Sequence, residues 1–299
     1  MKKSILFISI FSLVLAKAQI DPVKYPTFTN IEDALNSKKV VYSMSFREKG
    51  LFNLPPQITR LNSIFFLNIM GNKFEKMDQE LFELKELEIL NVNENSIKYI
   101  PDEIGQLTKL TTFSINLNSL TSINPNVAKL QNLKAIHLDA NNLNVFPEAL
   151  MEIPTLEEIN LQGNQISFIR DRLDQIKNLK FLNLSDNQIN DLGNLSFPRN
   201  IKYLELQQNA ITKLPENLYK SQHLEFLNVS DNHITEISSK VKGLKNIVSM
   251  NLAHNNLTDI PVEIKHLKNL KTLILIGNPI EKSKIEQLKT LLPEAQVYF

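Results

Sequence analysis

Histidine and cysteine, which often bind metals or act as catalytic groups, are scarce, because the sequence has five histidines and no cysteine. Without cysteine there is no disulfide, no thiolate metal ligand and no cysteine nucleophile. His137 and Asp139 are two residues apart and would face the same way on a strand, and Glu158 follows 21 residues after His137. Imidazole and carboxylate groups together can bind a metal ion or transfer protons. Two or three scattered ligands rarely make a site, and we favour a solvated polar patch.

Motifs of the common enzyme classes are absent from the sequence. There is no HExxH zinc motif, no GxSxG nucleophile elbow, no phosphate loop and no dinucleotide-binding fingerprint. A hydrolase that uses His137, Asp139 and Glu158 is an alternative, but it lacks a nucleophile, an orienting group and a pocket. We therefore predict a protein that is not an enzyme and that uses no metal or cofactor.

The histidine and its neighbouring acids lie within a nine-residue phrase that the chain repeats. In residues 179–187, apolar side chains occupy positions one, four and six, and asparagine occupies position nine. A degenerate copy at residues 41–49 precedes ten full copies, which follow one another every 23 residues except for one spacing of 22. The full copies end at Asn72, Asn95, Asn118, Asn141, Asn164, Asn187, Asn209, Asn232, Asn255 and Asn278.

The phrase itself predicts a short strand with one buried face. Leu182 and Leu184 alternate with Phe181, Asn183 and Ser185, and a period of two is that of a strand. One strand cannot bury this face alone, whereas stacked copies share a continuous core. The asparagine at position nine can both donate and accept hydrogen bonds, so we expect it to satisfy backbone groups of the turn.

Many repeats carry an Ile-Pro or similar step in their second half, as at Ile100-Pro101 and Ile260-Pro261. Together with the asparagine-terminated phrase, this step resembles the leucine-rich repeat family, in its bacterial and intracellular signalling subclass. The resemblance covers about residues 30–299. It implies an α/β fold, a right-handed solenoid with a parallel sheet on the concave face and a mixture of short helical turns and extended segments on the convex face.

The rest of the chain is expected to export the solenoid and to cap it. Residues 1–18 start with the basic pair Lys2-Lys3, followed by an apolar run and a small-residue cleavage site, which is typical of a secretory signal peptide. Residues 19–40 are interpreted as an N-terminal cap, with a short helix after Asn30. Residues 41–279 form the repeats, and residues 280–299 form a C-terminal cap with an amphipathic helix and a last strand. The expected location is secreted, periplasmic or at the cell envelope.

The charge balance excludes some partners. The net charge is +1, and removal of residues 1–18 leaves 30 basic against 32 acidic residues. Such a balance offers no attraction to nucleic acid or to an anionic membrane. No later segment is long and apolar enough to span a bilayer. We expect a monomer with no membrane span in the mature chain.

Positions three and five of each repeat are expected to point out of the concave sheet. At position three, Phe181, Tyr203 and Phe226 follow one another on neighbouring coils and predict an exposed aromatic stripe. Position five is mostly amide. At position three nearer the N-terminus, Phe66 and Ile89 predict a smaller apolar spot. The candidate ligand-binding residues are Phe66, Ile89, His137, Glu158, Asn160, Phe181, Asn183, Tyr203, Glu205, Phe226 and Asn228.

Aromatic anchors beside adaptable amides favour a recognition surface. The main hypothesis is an exported binding protein with a protein or peptide partner on the concave face. A carbohydrate-binding surface or periplasmic protein is the alternative, since aromatic platforms with polar neighbours also suit sugars. The same aromatics could instead stabilise the strands through cross-strand pairs. Acids at position eight, as at Asp186, are interpreted as turn residues and not as catalytic groups.

Overall fold

The computed structural model describes residues 24–299, so the predicted signal peptide lies outside the described residues. Thirteen strands form one sheet in sequence order, and every strand runs parallel to its neighbours. The strands are β1 (Thr27–Phe28), β2 (Ser43–Ser45), β3 (Phe66–Asn68), β4 (Ile89–Asn91), β5 (Thr112–Ser114), β6 (Ala135–His137), β7 (Glu158–Asn160), β8 (Phe181–Asn183), β9 (Tyr203–Glu205), β10 (Phe226–Asn228), β11 (Ser249–Asn251), β12 (Thr272–Ile274) and β13 (Gln296–Tyr298).

The predicted alternation of buried and outward side chains is confirmed. In β2 to β12 the middle residue of each strand is buried in one continuous apolar core, because that side chain points into the coil while its two neighbours point outward. These middle residues are Met44, Leu67, Leu90, Phe113, Ile136, Ile159, Leu182, Leu204, Leu227, Met250 and Leu273. Each coil thus shares its core with the next, as a stacked repeat requires.

Short helical turns lie on the opposite side of most coils. Helix α1 (Ile31–Leu35) precedes the repeats. Within residues 24–299 the turns of the repeats are helix α2 (Gln79–Phe82) and eight 3-10 turns. The 3-10 turns are Pro56–Arg60, Asp102–Gln106, Pro125–Lys129, Glu148–Glu152, Leu173–Gln175, Glu216–Lys220, Ser239–Gly243 and Val262–His266. Coils without the usual proline step still make the turn, and Asn124 and Ser238 cap two of them with their side chains. The coil that lacks one residue has no helical turn between residues 184 and 202.

The structure contains the predicted short helix after Asn30, and near the other end the predicted helix and last strand. The side chain of Asn30 accepts hydrogen bonds from the backbone N–H groups of Glu32 and Asp33 at the start of α1. Helix α3 (Lys282–Leu291) buries Ile285 and Leu288 against the end of the core, and β13 follows it as the last strand. Apolar residues that the end of a stack would expose are covered in this way.

The repeated asparagines are structural, as predicted. The amide of Asn187 donates to the carbonyl oxygens of Leu161, Leu184 and Ser185 at 3.0, 3.1 and 3.0 Å. Its side-chain oxygen accepts from the backbone N–H of Ile166 at 2.9 Å. One side chain therefore bonds its own coil and the preceding coil. The same pattern recurs at each of the ten asparagines, from Asn72 to Asn278.

Candidate interaction surface on the concave face

Three aromatic side chains form a continuous row at position three of the repeat, and we call Phe181, Tyr203 and Phe226 the concave stripe. Parallel pairing puts the three residues in register on β8, β9 and β10. The ring centroids of Phe181 and Tyr203 are 6.4 Å apart, and those of Tyr203 and Phe226 are 5.0 Å apart with the ring planes at 12°. The second pair is therefore stacked, with each ring covering one face of the other.

The exposure predicted for this stripe is wrong at one end. Phe181 is only 6% exposed, and Tyr203 and Phe226 are half-buried. Strands ~4.8 Å apart bring neighbouring outward side chains into contact, so a ring with a large neighbour on each side is covered. Phe181 lies between Tyr203 and the side chain of Glu158 in the register. The stripe is contiguous, but its accessible part is the edge of Tyr203 and the region of Phe226.

The smaller apolar spot near the N-terminus lies at position three of two neighbouring coils, as predicted from the sequence. Phe66 and Ile89 are paired neighbours on β3 and β4, and both are half-buried. On either side the row continues with Ser43 and Thr112, which are too small to extend an apolar surface. The spot is separated from the concave stripe by β5, β6 and β7.

His137 and Glu158 are brought together, and a third residue that the sequence analysis missed joins them. The Nε2 atom of His137 lies 3.0 Å from Oε1 of Glu158, and the Nδ1 atom lies 2.9 Å from Oγ of Ser114. A carboxylate can only accept, so a neutral ring donates from Nε2 and its Nδ1 accepts from the serine hydroxyl. Ser114 is one repeat before His137 in the same column, and a reading of that column for hydroxyls would have found it.

Asp139 does not join this chain of hydrogen bonds. Burial raises the pKa of its carboxyl to about 6, while the nearby His137 acts in the opposite direction. Its Oδ1 atom is buried and has no hydrogen-bond partner. The three residues considered for a hydrolase therefore divide into a bonded pair and a separate carboxyl group.

Unpartnered polar atoms concentrate on the same part of the concave face. Across residues 24–299 three buried side-chain atoms lack a partner: Oδ1 of Asp139, Nδ2 of Asn160 and Oγ of Ser185. They lie at positions five and seven of the coils that contain β6, β7 and β8. A buried polar atom without a partner costs about 1–3 kcal/mol, so such a cluster needs a water molecule or a ligand group to complete it. An acceptor, an amide donor and a hydroxyl can together pair with a peptide main chain.

Amides at position five have a local structural role as well. The side-chain oxygens of Asn160, Asn183 and Asn228 accept from backbone N–H groups two residues later, at 3.2, 2.9 and 3.2 Å. Nδ2 of Asn183 and of Asn228 donates to a glutamine of position seven, whereas Nδ2 of Asn160 has no partner. The row as a whole therefore stabilises the strand ends, and Asn160 is the member with a free donor.

Glu205 breaks the amide row beside the stripe. Burial raises the pKa of its carboxyl to about 7, and a hydrogen bond from the Asn228 side chain acts in the opposite direction. The residue pairs with Asn183 on one side and with Asn228 on the other. The carboxyl groups of Glu205 and Asp139 therefore become negatively charged only as the pH approaches neutral.

Position eight of the repeat has a backbone role that the sequence analysis missed. Asp186 and Asp231 both have φ of 54°, and His254 has φ of 52°. The same position holds glycine in three coils, at Gly71, Gly163 and Gly277, and left-handed backbone suits glycine best. Acids at this position are therefore turn residues, as predicted, and not a catalytic ladder. The recurring glycine was the signal that pointed to the left-handed turn.

No metal or membrane site emerges from the described chain. No group of three histidine, aspartate or glutamate residues in residues 24–299 is placed to hold a metal ion. The same part of the chain contains no helix of the length and apolarity that a bilayer crossing requires.

The most exposed aromatics lie away from the concave face, and the sequence analysis missed them. They occupy positions twelve and thirteen of the repeat, on the flank between the strand phrase and the convex turn. Phe52 is 62% exposed, Tyr99 is 56% exposed, and Val145 and Phe168 are similarly open. The later coils carry threonine or charged residues at these positions, as at Thr235. A comparison of the residues at positions twelve and thirteen from coil to coil, as was done for the strand positions, would have revealed this row of apolar side chains.

Profiles of known families identify leucine-rich repeats along most of the chain. A profile described as "Leucine rich repeat" matches residues 108–166, 177–234 and 222–280. A second, described as "Leucine Rich repeats (2 copies)", matches residues 154–196. A search of curated proteins finds no match.

Several solved structures share this fold. A leucine-rich repeat protein of Leptospira interrogans is 34% identical, with a TM-score of 0.79 over 87% of this chain and 66% of its own. The functional domain of InlJ from Listeria monocytogenes is 23% identical, with a TM-score of 0.70 over 87% of this chain and 53% of its own. A chain of the octameric complex of Latrophilin 3, Unc5D and FLRT2 (LRR) is 22% identical, with a TM-score of 0.75. The chain spans about two thirds of the first structure and about half of the second.

Proposed function

Because the chain belongs to the leucine-rich repeat family, we propose that it is an exported binding protein that recognises a protein or peptide partner on its concave face. Proteins of this family are typically interaction modules and generally not enzymes. FLRT2, for example, assembles with Latrophilin 3 and Unc5D. The likeness to that chain is one of fold alone, so the argument for this protein rests on its own surface.

The observation that carries the proposal is the position of the concave stripe next to unpartnered polar atoms. Phe181 and Asn183 are the outward residues of β8, and Asn160 with its free donor is the register partner of Asn183. A partner segment across β7 to β10 would meet apolar ring edges and unpaired hydrogen-bonding atoms together. Interface hot spots combine these features, with an aromatic anchor beside groups that need a partner.

The packing of the rings favours a protein over a sugar. A sugar ring stacks on the open face of an aromatic side chain, whereas Tyr203 and Phe226 cover one face of each other. Edges and a narrow strip of ring are suited to apolar side chains of a peptide. The neighbouring free donor on Asn160 and free acceptor on Asp139 match the carbonyl and N–H of a main chain.

The Ser114, His137 and Glu158 chain does not favour hydrolysis. All three side chains are buried, and both ring nitrogens of His137 are occupied by the other two residues. A serine nucleophile must reach a substrate carbonyl next to oxyanion donors. The outward face of a sheet has its neighbouring backbone N–H groups committed to the ladder. We therefore assign these residues to stabilisation of the concave surface.

Export is supported by the leader sequence. Residues 1–18 combine a basic start, an apolar run and small residues at the cleavage site. A cell-fractionation experiment with the full chain and with a form that starts at Gln19 would test it. We expect the full chain outside the cytoplasm and the shortened chain inside it. Equal distribution of the two would contradict the role of the leader.

The test of the concave face uses peptides selected from a random display library on the purified protein. The double variant Tyr203→Ala/Phe226→Ala should weaken the selected peptides by at least about a hundredfold, since two anchors of about 2 kcal/mol each are lost. Phe168→Ala is a matched control, because it removes an exposed ring from the flank, away from the concave face. Peptides that bind the double variant as well as the parent would show the stripe to be structural. A glycan array with the same proteins tests the carbohydrate alternative.

A further inference from the structure

The flank of the first three coils carries a surface that the concave hypothesis does not use. Phe52, Lys73, Lys76, Lys98 and Tyr99 surround a cavity of about 410 Å³, and we call these five residues the aromatic–lysine patch. Both rings are more than half exposed, and all three lysines are exposed. Neither ring is covered by a neighbouring aromatic. The cavity volume is within the range of sites that bind ligands in proteins.

The patch has an excess of positive charge. Lys73 holds its ammonium group 5.1 Å from the centroid of the Phe52 ring, which is a cation–π contact. Lys98 lies 3.6 Å from Glu75, the single acid among the lining residues, and both side chains are mostly exposed. An exposed pair at this distance contributes little energy, so Lys98 can exchange Glu75 for a partner carboxylate. Three ammonium groups and one carboxylate therefore line the cavity.

In the later coils, the charged residues at position thirteen form ion pairs. Lys213 at position thirteen is 3.1 Å from Glu236, which occupies position thirteen of the next coil. In the next coil Asp259 is 2.9 Å from Lys284. Thr212, Thr235 and Thr258 occupy position twelve there, where the first coil carries Phe52. The repeat scaffold therefore does not require lysines and rings at these positions, and their combination is a local departure from it.

We propose that the aromatic–lysine patch is a second protein-binding surface, which takes an acidic peptide segment with apolar side chains. Carboxylates of the segment pair with Lys73, Lys76 and Lys98, and its apolar side chains pack against Phe52 and Tyr99. The ammonium groups come from two coils and are separated by Glu75, so they suit charges spaced along a chain. A single phosphate would need donors that converge on one point, and no arginine lines the cavity.

The adjoining groove sets the orientation of the segment. A second cavity of about 710 Å³ shares Lys76 and Tyr99 with the patch and is also lined by Asp78, Glu80 and Glu103. These acids repel a segment that is acidic throughout. The acidic residues of the partner therefore lie over the lysines, on the Phe52 side of Tyr99, and not over the groove.

The experiment uses a fluorescein-labelled synthetic peptide of Glu-Phe-Glu-Ser repeats and a charge-inverted peptide of Lys-Phe-Lys-Ser repeats. Fluorescence anisotropy with the purified protein should show binding of the acidic peptide only, weakening as salt is raised. The variant Lys73→Glu/Lys98→Glu should weaken binding by at least about tenfold, because like charges then face each other. Phe52→Ala/Tyr99→Ala should also weaken it, and Lys213→Glu is the matched control on the same flank.

Any of the following results would overturn the proposal. They are equal binding by the Lys73→Glu/Lys98→Glu variant, equal binding of both peptides, loss of binding on Lys213→Glu, and binding of dextran sulfate but not of the acidic peptide. Thermal unfolding by circular dichroism shows that each variant is folded, and the exposed positions make this the expected result. The concave double variant Tyr203→Ala/Phe226→Ala should bind the acidic peptide as the parent does. Loss of peptide binding in that variant would show that the peptide binds the concave face instead.

Discussion

The concave stripe and the aromatic–lysine patch carry similar rings on one scaffold, but they differ in what covers the rings. Phe181 is buried between neighbours on adjacent strands, and Tyr203 and Phe226 stack on each other. Phe52 and Tyr99 are on the flank, with lysines and not rings beside them. A covered ring contributes to folding whether or not a partner binds. An exposed ring contributes little to folding, so binding is the role left to it.

Replacement of the covered ring tests this difference most strongly. Phe181→Ala should lower the free energy of unfolding by about 3 kcal/mol, because it removes a buried aromatic side chain and leaves a cavity. Tyr99→Ala should change it by less than about 0.5 kcal/mol, because the ring is exposed. Urea denaturation followed by circular dichroism measures both. Equal losses in the two variants would remove the distinction between the surfaces.

Removal of a polar partner should also lower the free energy of unfolding more on the concave face than on the flank. His137→Ala should cost about 2 kcal/mol, since it leaves the buried groups of Ser114 and Glu158 without partners. Lys98→Ala should cost less than about 0.5 kcal/mol, because its ion pair with Glu75 is exposed. The same denaturation experiment applies. A His137 variant as stable as the parent would show that water replaces the lost hydrogen bonds.

A pH titration of stability sharpens the comparison further. The pKa of Glu205 is raised to about 7 in the folded state, so the folded state binds more protons than the unfolded state between about pH 4.5 and 7. The contribution of Glu205 to stability is therefore complete below that range and is lost as pH rises through 7. The loss is about 2 kcal/mol after allowance for partial exposure of the carboxyl. Glu205→Gln should remove this part of the decline and raise stability at pH 8.

Asp139→Asn provides the second arm of that titration. Burial raises the pKa of Asp139 to about 6, so its contribution should be lost earlier, as pH rises through 6. The variant should keep the decline around pH 7 and lose the one around pH 6. A profile unchanged by both substitutions would show that neither carboxyl is buried enough to affect folding.

Most of the fold could be predicted because it follows from a repeated local pattern. Alternation of Leu182 and Leu184 with polar residues fixes which face is buried, and the amide of Asn187 has the donors and acceptor that a coil turn lacks. Both facts depend on residue type and spacing alone. The end elements followed from the capping residue Asn30 and from the amphipathic pattern of α3.

The candidate site was predicted only in part, because exposure depends on contacts between coils. Column positions gave the register of Phe181 and Tyr203 correctly, but ring orientation decides which of them is covered. The hydrogen bond from Ser114 to His137 needed a search for hydroxyls beside histidines. The flank row was missed because the columns were read only along the strands, and Tyr99 is outside them.

The asparagine at position nine also has a consequence for how such a chain can evolve. Each of these side chains bonds its own coil and the coil before it, and none reaches further. A whole coil could therefore be duplicated or deleted in the gene while every remaining asparagine still found its partners. Length would then change in steps of one repeat, and the outward residues of each coil would be free to diverge separately. The concave stripe and the flank patch, which are on different coils, could have been acquired at different times.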